Sequence, residues 1–456
     1  MTKQLFTTTL LLLSTMLIFA QAGTTVVTDA KAVKYRRSSL YMVMLDDKGL
    51  VNADVIKSTF MAMPIPDKFN DHNLGARSFD PSTLVLTDDE KKSAEKKGGK
   101  FGAFAKSIGN SATGGLVDTI DTKYLPIKID KYFNENNIAR DLVAKWFNRS
   151  TKGTFNMNMI GERGSYDATA LDINTAKSSA RGLSSVSDAG EELISNTFVV
   201  VTRFNYVSME SITAAAQKLG SFAMALAEAS GNKVSDDVKA ASDSVAKQIT
   251  GYAVQTTSHL YKLAWNDSIE AVFYQNYWTD DSSFDPAKKA AFDTTKLFTL
   301  ELIGDEKAHA SILEAKLFNK SHEELVKKAT VNAFDAVLAK LQRKYEIFRT
   351  KTPLYSGEPI TAKIGLKEGL EPGDKFEVLE QTQDPKTGKT TYVKVGKIKV
   401  EKGLIWDNRF GADEELQKTA VDGTTATTTA PAPKIDRTTF SGGKGFYTGM
   451  LIRQKN

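Results

Sequence analysis

Four histidines, His72, His259, His309 and His322, are the first residues to test for chemistry in this chain of 456 residues. Imidazole is both the commonest protein metal ligand and a general base near neutral pH. No two of them stand in a metal-binding spacing. His322-Glu323-Glu324 begins like a zinc-protease helix but lacks the second histidine at i+4, so a helix start is the better reading. Gly109-x-Ser111 is half of a nucleophile elbow, with Thr113 where the second glycine belongs and no buried strand before it. Gly388-Lys389-Thr390 ends like a phosphate-binding loop, but Gln383 replaces the first glycine and both flanks read as strands, which predicts a hairpin turn. Gly442-Gly443-Lys444-Gly445 lacks the strand, loop and helix of a nucleotide site. Carboxylate pairs occur at Asp88-Asp89, Asp280-Asp281 and Glu414-Glu415, and paired carboxylates are the apparatus of glycoside hydrolysis. Adjacent acids on turns are ordinarily solvated helix starts. Asp280-Asp281 is the exception worth following, because Tyr274, Tyr277 and Trp278 precede it, although an aromatic-rich run is more often core. With no cysteine, thiolate metal sites, redox sites and disulfides are excluded. No catalytic, cofactor-binding or metal-ligating residue is assigned.

The elements that would position these residues are legible in part. Lys34 to Leu45 reads as a strand, and Asn52 to Met63 as a helix stopped by Pro64 and Pro66. Thr87 to Glu90 is a capping box ahead of a charged helix that must end at Gly98-Gly99. Gly98 to Gly115 is a small-residue loop, or a membrane-touching segment through Phe101, Phe104, Lys106 and Ile108. Ile138 to Phe147 has helical spacing behind Asn137 as a cap, and the alternation of Phe155, Met157 and Met159 predicts a strand. Tyr166 to Ala180 and Asp188 to Ile194 follow as helices, and Thr197 to Tyr206 is the strongest strand signal. Ser211 to Ala246 is Ala-rich and reads as an inserted helical hairpin, spanning about 208–250 with its flanks. Tyr252 to Trp265 and Ile269 to Trp278, separated by Asn266-Asp267-Ser268, predict a β-hairpin, with a third strand at Leu297 to Ile303. A capping box at Ser321 to Glu324 opens an apolar stripe running to Phe348.

Beyond Pro353 the pattern changes to short strands: Ile360 to Leu366, one from Phe376, Tyr392 to Val400 with a bulge at Gly396, and Phe446 to Ile452. Thr424 to Pro433 is a low-complexity Thr, Ala and Pro loop. The expected class is α+β, with an α/β layer domain over 23–350 and a small β domain over 351–456 for which an SH3-like barrel is one form. Before them, Lys3, the apolar run Leu5 to Ala20 and the small-x-small site Ala20-Gln21-Ala22 predict a signal peptide over 1–22. The expected product is an exported protein of the periplasm or cell surface, and without a cysteine at the cleavage point it is not a lipoprotein. The formal charge of +5, or +4 once Lys3 leaves, is too small to argue for nucleic acid.

The order of the helix Ile138 to Phe147, a strand ending in Ile160-Gly161-Glu162-Arg163-Gly164, further helix and the strand Thr197 to Tyr206 resembles a bacterial envelope arrangement. It is similar to the α/β domain of the curli secretion channel, penicillin-binding-protein activator and TolB amino-terminal families. That resemblance implies a scaffold, assembly or partner-binding role with an envelope protein partner, and it carries over no catalytic residue. The first two families are anchored through a cysteine that this chain lacks. Asp118-Thr119-Ile120, Asp243-Ser244-Val245, Asp267-Ser268-Ile269 and Asp293-Thr294-Thr295 resemble the O-glycosylation acceptor of exported Bacteroidetes proteins, which would place glycan on Thr119, Ser244, Ser268 or Thr294. The sequence therefore favours a non-enzymatic envelope protein. A secreted carbohydrate-active hydrolase using Asp280 or Asp281 and an oligomeric envelope pore are the alternatives.

Overall fold

In a computed structural model the chain is described over residues 35–96, 124–166, 193–208, 249–315, 321–383, 390–412 and 435–455. The fold is α+β and holds two sheets. Strand β1 (Ser39–Leu45) is buried along its whole length. Its side chains serve two cores in turn: Leu40, Met42 and Met44 on one face, Tyr41, Val43 and Leu45 on the other. An apolar run with no polar alternation must be covered on both sides, and this one is. The short strands β2 (Asn70–Asp71) and β3 (Ser78–Phe79) pair parallel to β1, as does β4 (Thr197–Ser208) on its other side. β4, β5 (Ile249–Leu263) and β6 (Leu300–Ala315) then continue the sheet as antiparallel neighbours.

Helices α1 (Ala53–Ala62) and α8 (His322–Lys344) cover one face of this sheet. α8 opens with the expected capping box, Ser321 accepting the Glu324 amide while the Glu324 carboxylate accepts the Ser321 amide. α1 ends at Met63, ahead of Pro64, and Phe60 meets Phe204 and Phe334 edge to face. Helix α2 (Asp88–Lys96) starts with the reciprocal Thr87 and Glu90 bonds of the predicted box. Helices α3 (Leu125–Glu135) and α4 (Ile138–Trp146) cover the other face. Asn137 precedes α4 in the left-handed region, but its side chain does not cap the helix; its carboxamide oxygen accepts from Lys296 instead.

Two predicted strands are helices. The Met157 and Met159 stretch, with the run to Gly164, lies in α5 (Asn158–Tyr166), so Ile160-Gly161-Glu162-Arg163-Gly164 does not end a strand. Asn156 accepts the Asn158 amide with its side chain, which starts a helix in place of an alternation. Ile269 to Trp278 is likewise no hairpin arm: α6 (Asp267–Asn276) begins where Asn266 accepts the amides of Ser268 and Ile269. The polar triplet that suggested a turn is an N-cap, and Phe273 is buried from the helix. α7 (Pro286–Thr294) follows behind an Asp285 cap. The third strand runs to Ala315, well past the predicted Ile303. α8 stops at Lys344, short of Phe348, which returns to the core from a 3-10 turn over Glu346–Phe348.

The second sheet is antiparallel throughout, in the order β7 (Thr352–Pro353), β13 (Leu451–Lys455), β10 (Lys375–Gln383), β11 (Thr390–Val400), β12 (Thr438–Gly442), β9 (Ile360–Ala362) and β8 (Ser356–Gly357). Its core gathers Ile360, Phe376, Val378, Ile398, Val400, Phe440 and Ile452. The β10–β11 register slips between Val378 and Leu379, so Val395 is unopposed beside Gly396, the bulge the sequence indicated. A side chain at Gly396 would collide with the Phe446 ring. The last strand begins at Leu451, five residues after the start predicted at Phe446, which lies in the loop before it. The predicted hairpin insertion, most of the helices between Tyr166 and Ile194, the Gly98 to Gly115 stretch and the Thr424 to Pro433 loop lie outside the described residues.

Candidate functional site

The aromatic and acidic stretch before α7 is built as core and loop anchor. Trp278 stacks on Phe155 with centroids 5.9 Å apart, and Phe147, Phe273 and Tyr274 pack around it. One carboxylate oxygen of Asp280 accepts the Ser282 and Ser283 amides, each at 2.9 Å, and their hydroxyls at 2.6 and 2.9 Å. The Ser282 and Ser283 bonds lower its pKa to about 2. A glycosidase acid needs the opposite shift. Asp281 accepts from the Thr154 hydroxyl at 2.8 Å, so each acid of the pair holds its own loop contact. Asp88 and Asp89 lie in the first turn of α2, and Glu414-Glu415 falls outside the described residues.

The histidines are dispersed. His72 is buried, stacked on Trp146 at 4.8 Å, with Nε2 bonded to the Leu142 carbonyl at 2.9 Å and Nδ1 accepting from Arg163 at 3.0 Å. That pattern fixes a neutral ring, and burial, then the Arg163 charge, holds its pKa well below the usual value. His259 is buried in β5, where desolvation lowers its pKa to about 3. His309 lies in β6, and His322 begins α8, bonded to the Tyr252 hydroxyl at 2.6 Å and to the Asn52 carboxamide at 3.1 Å. Among the described residues no group of three His, Asp or Glu side chains is placed to hold a metal ion. Of the modification candidates, Ser268 and Thr294 are exposed at the ends of α6 and α7, while Thr119 and Ser244 lie outside the described residues. Gln383 pairs with Thr390, so the Gly388-Lys389 stretch connects two antiparallel neighbours.

A different constellation emerges on the outer face of the second sheet. Phe376, Ile398 and Ile452 point into its core, so the residues alternating with them face outward. Registers then place Lys455 opposite Lys375, Lys375 opposite Lys399, and Lys399 opposite Ser441. Three lysines thus stand in one row across β13, β10 and β11, on strands about 4.8 Å apart. Lys397 projects from the next outward position on β11. All four are exposed, and among the described residues none has an ion-pair or side-chain hydrogen-bond partner. Together with Ser441 they line a groove of about 530 Å3.

Like charges directly opposed across strands destabilise a sheet, by roughly 0.2–1 kcal/mol for each pair. The nearest outward acid does not relieve them. Glu377 accepts from Lys394 at 2.7 Å and from Arg453 at 3.0 Å, bonds that lower its pKa to about 2. Asp374 accepts from Arg343 at 3.1 Å and Gln454 at 3.2 Å. Both acids are thus bonded to other groups, which leaves this row positive. Sequence reasoning located the strands but missed the row. The available signal was the alternation of lysine with buried aliphatics in Lys397-Ile398-Lys399-Val400.

No protein-family model matches the chain, and no curated protein matches it.

Proposed function

We propose that this is an exported envelope protein, of the periplasm or cell surface, that works by binding an anionic partner and not by catalysis. The observation that supports this most is the row Lys455, Lys375 and Lys399, which is left uncompensated while the neighbouring Glu377 pairs with Lys394 and Arg453. A row that costs stability on its own is accounted for if an anion relieves it in use. Asp280, Asp281 and His72, in contrast, have structural roles: Asp280 and Asp281 fix loops, and His72 links α4, α5 and the first sheet. Export rests on the amino-terminal pattern of Lys3, the Leu5 to Ala20 run and the Ala20-Gln21-Ala22 site. This reading does not depend on the resemblance to the curli, activator and TolB families.

The test uses the full chain expressed in a bacterial host with a photo-reactive residue at Ser441, which ends the row without removing a charge. Irradiated envelope fractions are expected to yield a covalent adduct with an envelope component, on a chain whose mass corresponds to a start at Gly23. Recovery of uncross-linked protein alone, or of chain still carrying residues 1–22 in the cytoplasm, refutes the reading.

A further inference from the structure

We propose that the lysine row is a binding site for clustered phosphate groups, an inference that rests on the partner-binding reading and specifies its chemistry. Four features of the groove carry it. First, the charge density is high: three ammonium groups rise from directly opposed positions on adjacent strands, with a fourth one outward position away on β11. A single carboxylate neutralises one such charge, whereas adjacent phosphates neutralise several at once. Second, every cation lining the groove is lysine. Without an arginine fork the groove offers no two-pronged contact to a single carboxylate or phosphate, and it attracts by compact point charges that act from any direction on oxyanions held close together.

Third, the groove offers no stacking platform. Phe376 contributes to its lining but is buried in the core beneath, so the bases of a single-stranded nucleic acid would find no aromatic face. Fourth, the positive charge stops at a definite edge. The adjoining groove, of about 510 Å3, shares Lys455 but also holds acids, Glu306 pairing with Lys344 at 2.6 Å and Asp374 with Arg343 at 3.1 Å, while Lys340 donates to the Lys307 carbonyl. The groove over the row differs in having no acid in its lining. Gly373 keeps it open, because a side chain there would press on the stem of Lys399, and the Ser441 hydroxyl adds a neutral donor at the far end.

The shared chemistry is a multiply charged phosphate cluster, carried either on a lipid headgroup or free in solution. Calorimetric titration of the full chain with inorganic tripolyphosphate is expected to show saturable binding that weakens with added salt. Citrate, a polycarboxylate, is expected to bind at least about tenfold more weakly. The double substitution Lys375→Gln with Lys399→Gln is expected to reduce tripolyphosphate affinity about tenfold or more while raising the melting temperature, because it removes repulsion. Lys152→Gln, on an exposed lysine elsewhere, is expected to change nothing. Flotation with phosphatidylcholine vesicles containing phosphatidic acid separates the sources: flotation lost in the double variant assigns the site to headgroups, and tripolyphosphate binding without flotation assigns it to free phosphate. Absence of tripolyphosphate binding at millimolar probe, equal binding by the double variant, or equal affinity for citrate overturns the proposal. If tripolyphosphate fails while the Ser441 cross-link still captures an envelope component, the phosphate chemistry falls and the partner-binding reading stands.

Discussion

Burial without a partner sets Asp335 apart from the other acids. It lies on α8 at 8% exposure, and one carboxylate oxygen has no hydrogen-bond partner among the described residues. Desolvation raises its pKa to about 6, with Glu368 adding to the rise and Lys367 and Lys68 opposing it. Lys68 is half-buried and donates to Gln342 at 2.8 Å, so its charge is shared with another acceptor. The folded state holds the Asp335 proton more tightly than the unfolded chain, whose value is near 3.8. Its contribution to stability is therefore fully present below pH 4 and is lost as pH rises through 6. Asp335→Asn should match the parent at pH 4 and exceed its stability by about 1–3 kcal/mol at pH 8. Urea unfolding at the two pH values checks this, and a variant less stable at pH 8 would contradict it. Nothing in Asn332-Ala333-Phe334-Asp335 marks the acid as buried, because it is covered by the Lys367-Glu368 turn, which is distant in sequence. Asp280, by contrast, carries a local signal in Ser282 and Ser283, which its reading as half of a carboxylate pair passed over.

At the scale of elements, the end of α8 and the edge of the first sheet are fitted to each other. The Tyr345 hydroxyl accepts the Asp305 amide at 2.9 Å and donates to the Asp305 carbonyl at 3.0 Å, while Lys344 and Lys340 reach the carbonyls of Asp305 and Lys307. These bonds occupy outward backbone groups of β6, the edge strand, which would otherwise invite pairing with another chain. The approach requires Gly304, since a Cβ there would overlap the Tyr345 hydroxyl. The register shift between Leu260 and Tyr261, which leaves Ile303 unopposed, lies beside it. Gly304→Ala is expected to destabilise by about 1–3 kcal/mol. Tyr345→Phe is expected to cost about 0.5–1.5 kcal/mol through the unpaired amide. Combined, they should cost less than the sum, because the first substitution already displaces the hydroxyl; a purely additive double mutant in urea melts would refute the coupling. The same fit explains why the predicted stripe to Phe348 is interrupted: Tyr345 is extended to reach β6. Capping boxes at Thr87 and Ser321 were legible because they are local, and so was β4, whose composition admits little else. α5 and α6 were misread because Asn156 and Asn266 serve equally as turn residues and as caps, and only tertiary burial of Ile160 and Phe273 decides between them.

The two sheets belong to one compact unit, Lys34–Asn456, and α8 touches both. The sequence change at Pro353 marks where one sheet gives way to the other, but it carries no information on whether they unfold together. Arg343 answers that. From the last turn of α8 it donates to the Gly369 carbonyl at 2.6 Å and to Asp374 at 3.1 Å, immediately before the β10 strand that carries Lys375. Its side chain is 38% exposed, so the ion pair alone is weak, and the backbone bond supplies much of the link. Asp374 keeps Gln454 and the Glu371 amide when Arg343 is removed, so the second sheet should remain folded. Calorimetry of the parent is then expected to give one transition. Arg343→Ala should shift the second-sheet component down by about 2–4 °C and broaden or split the peak, as for a loss near 1 kcal/mol. An unchanged single peak would mean that the sheets are coupled elsewhere, as where Tyr35 packs on Leu379 and Leu451 or where Glu346 pairs with Arg453 at 3.6 Å. Because the substitution leaves the four lysines in place, phosphate binding by Arg343→Ala separates the two roles of this region. Retained affinity would show that the row acts as a property of the second sheet alone, whatever holds that sheet against α8.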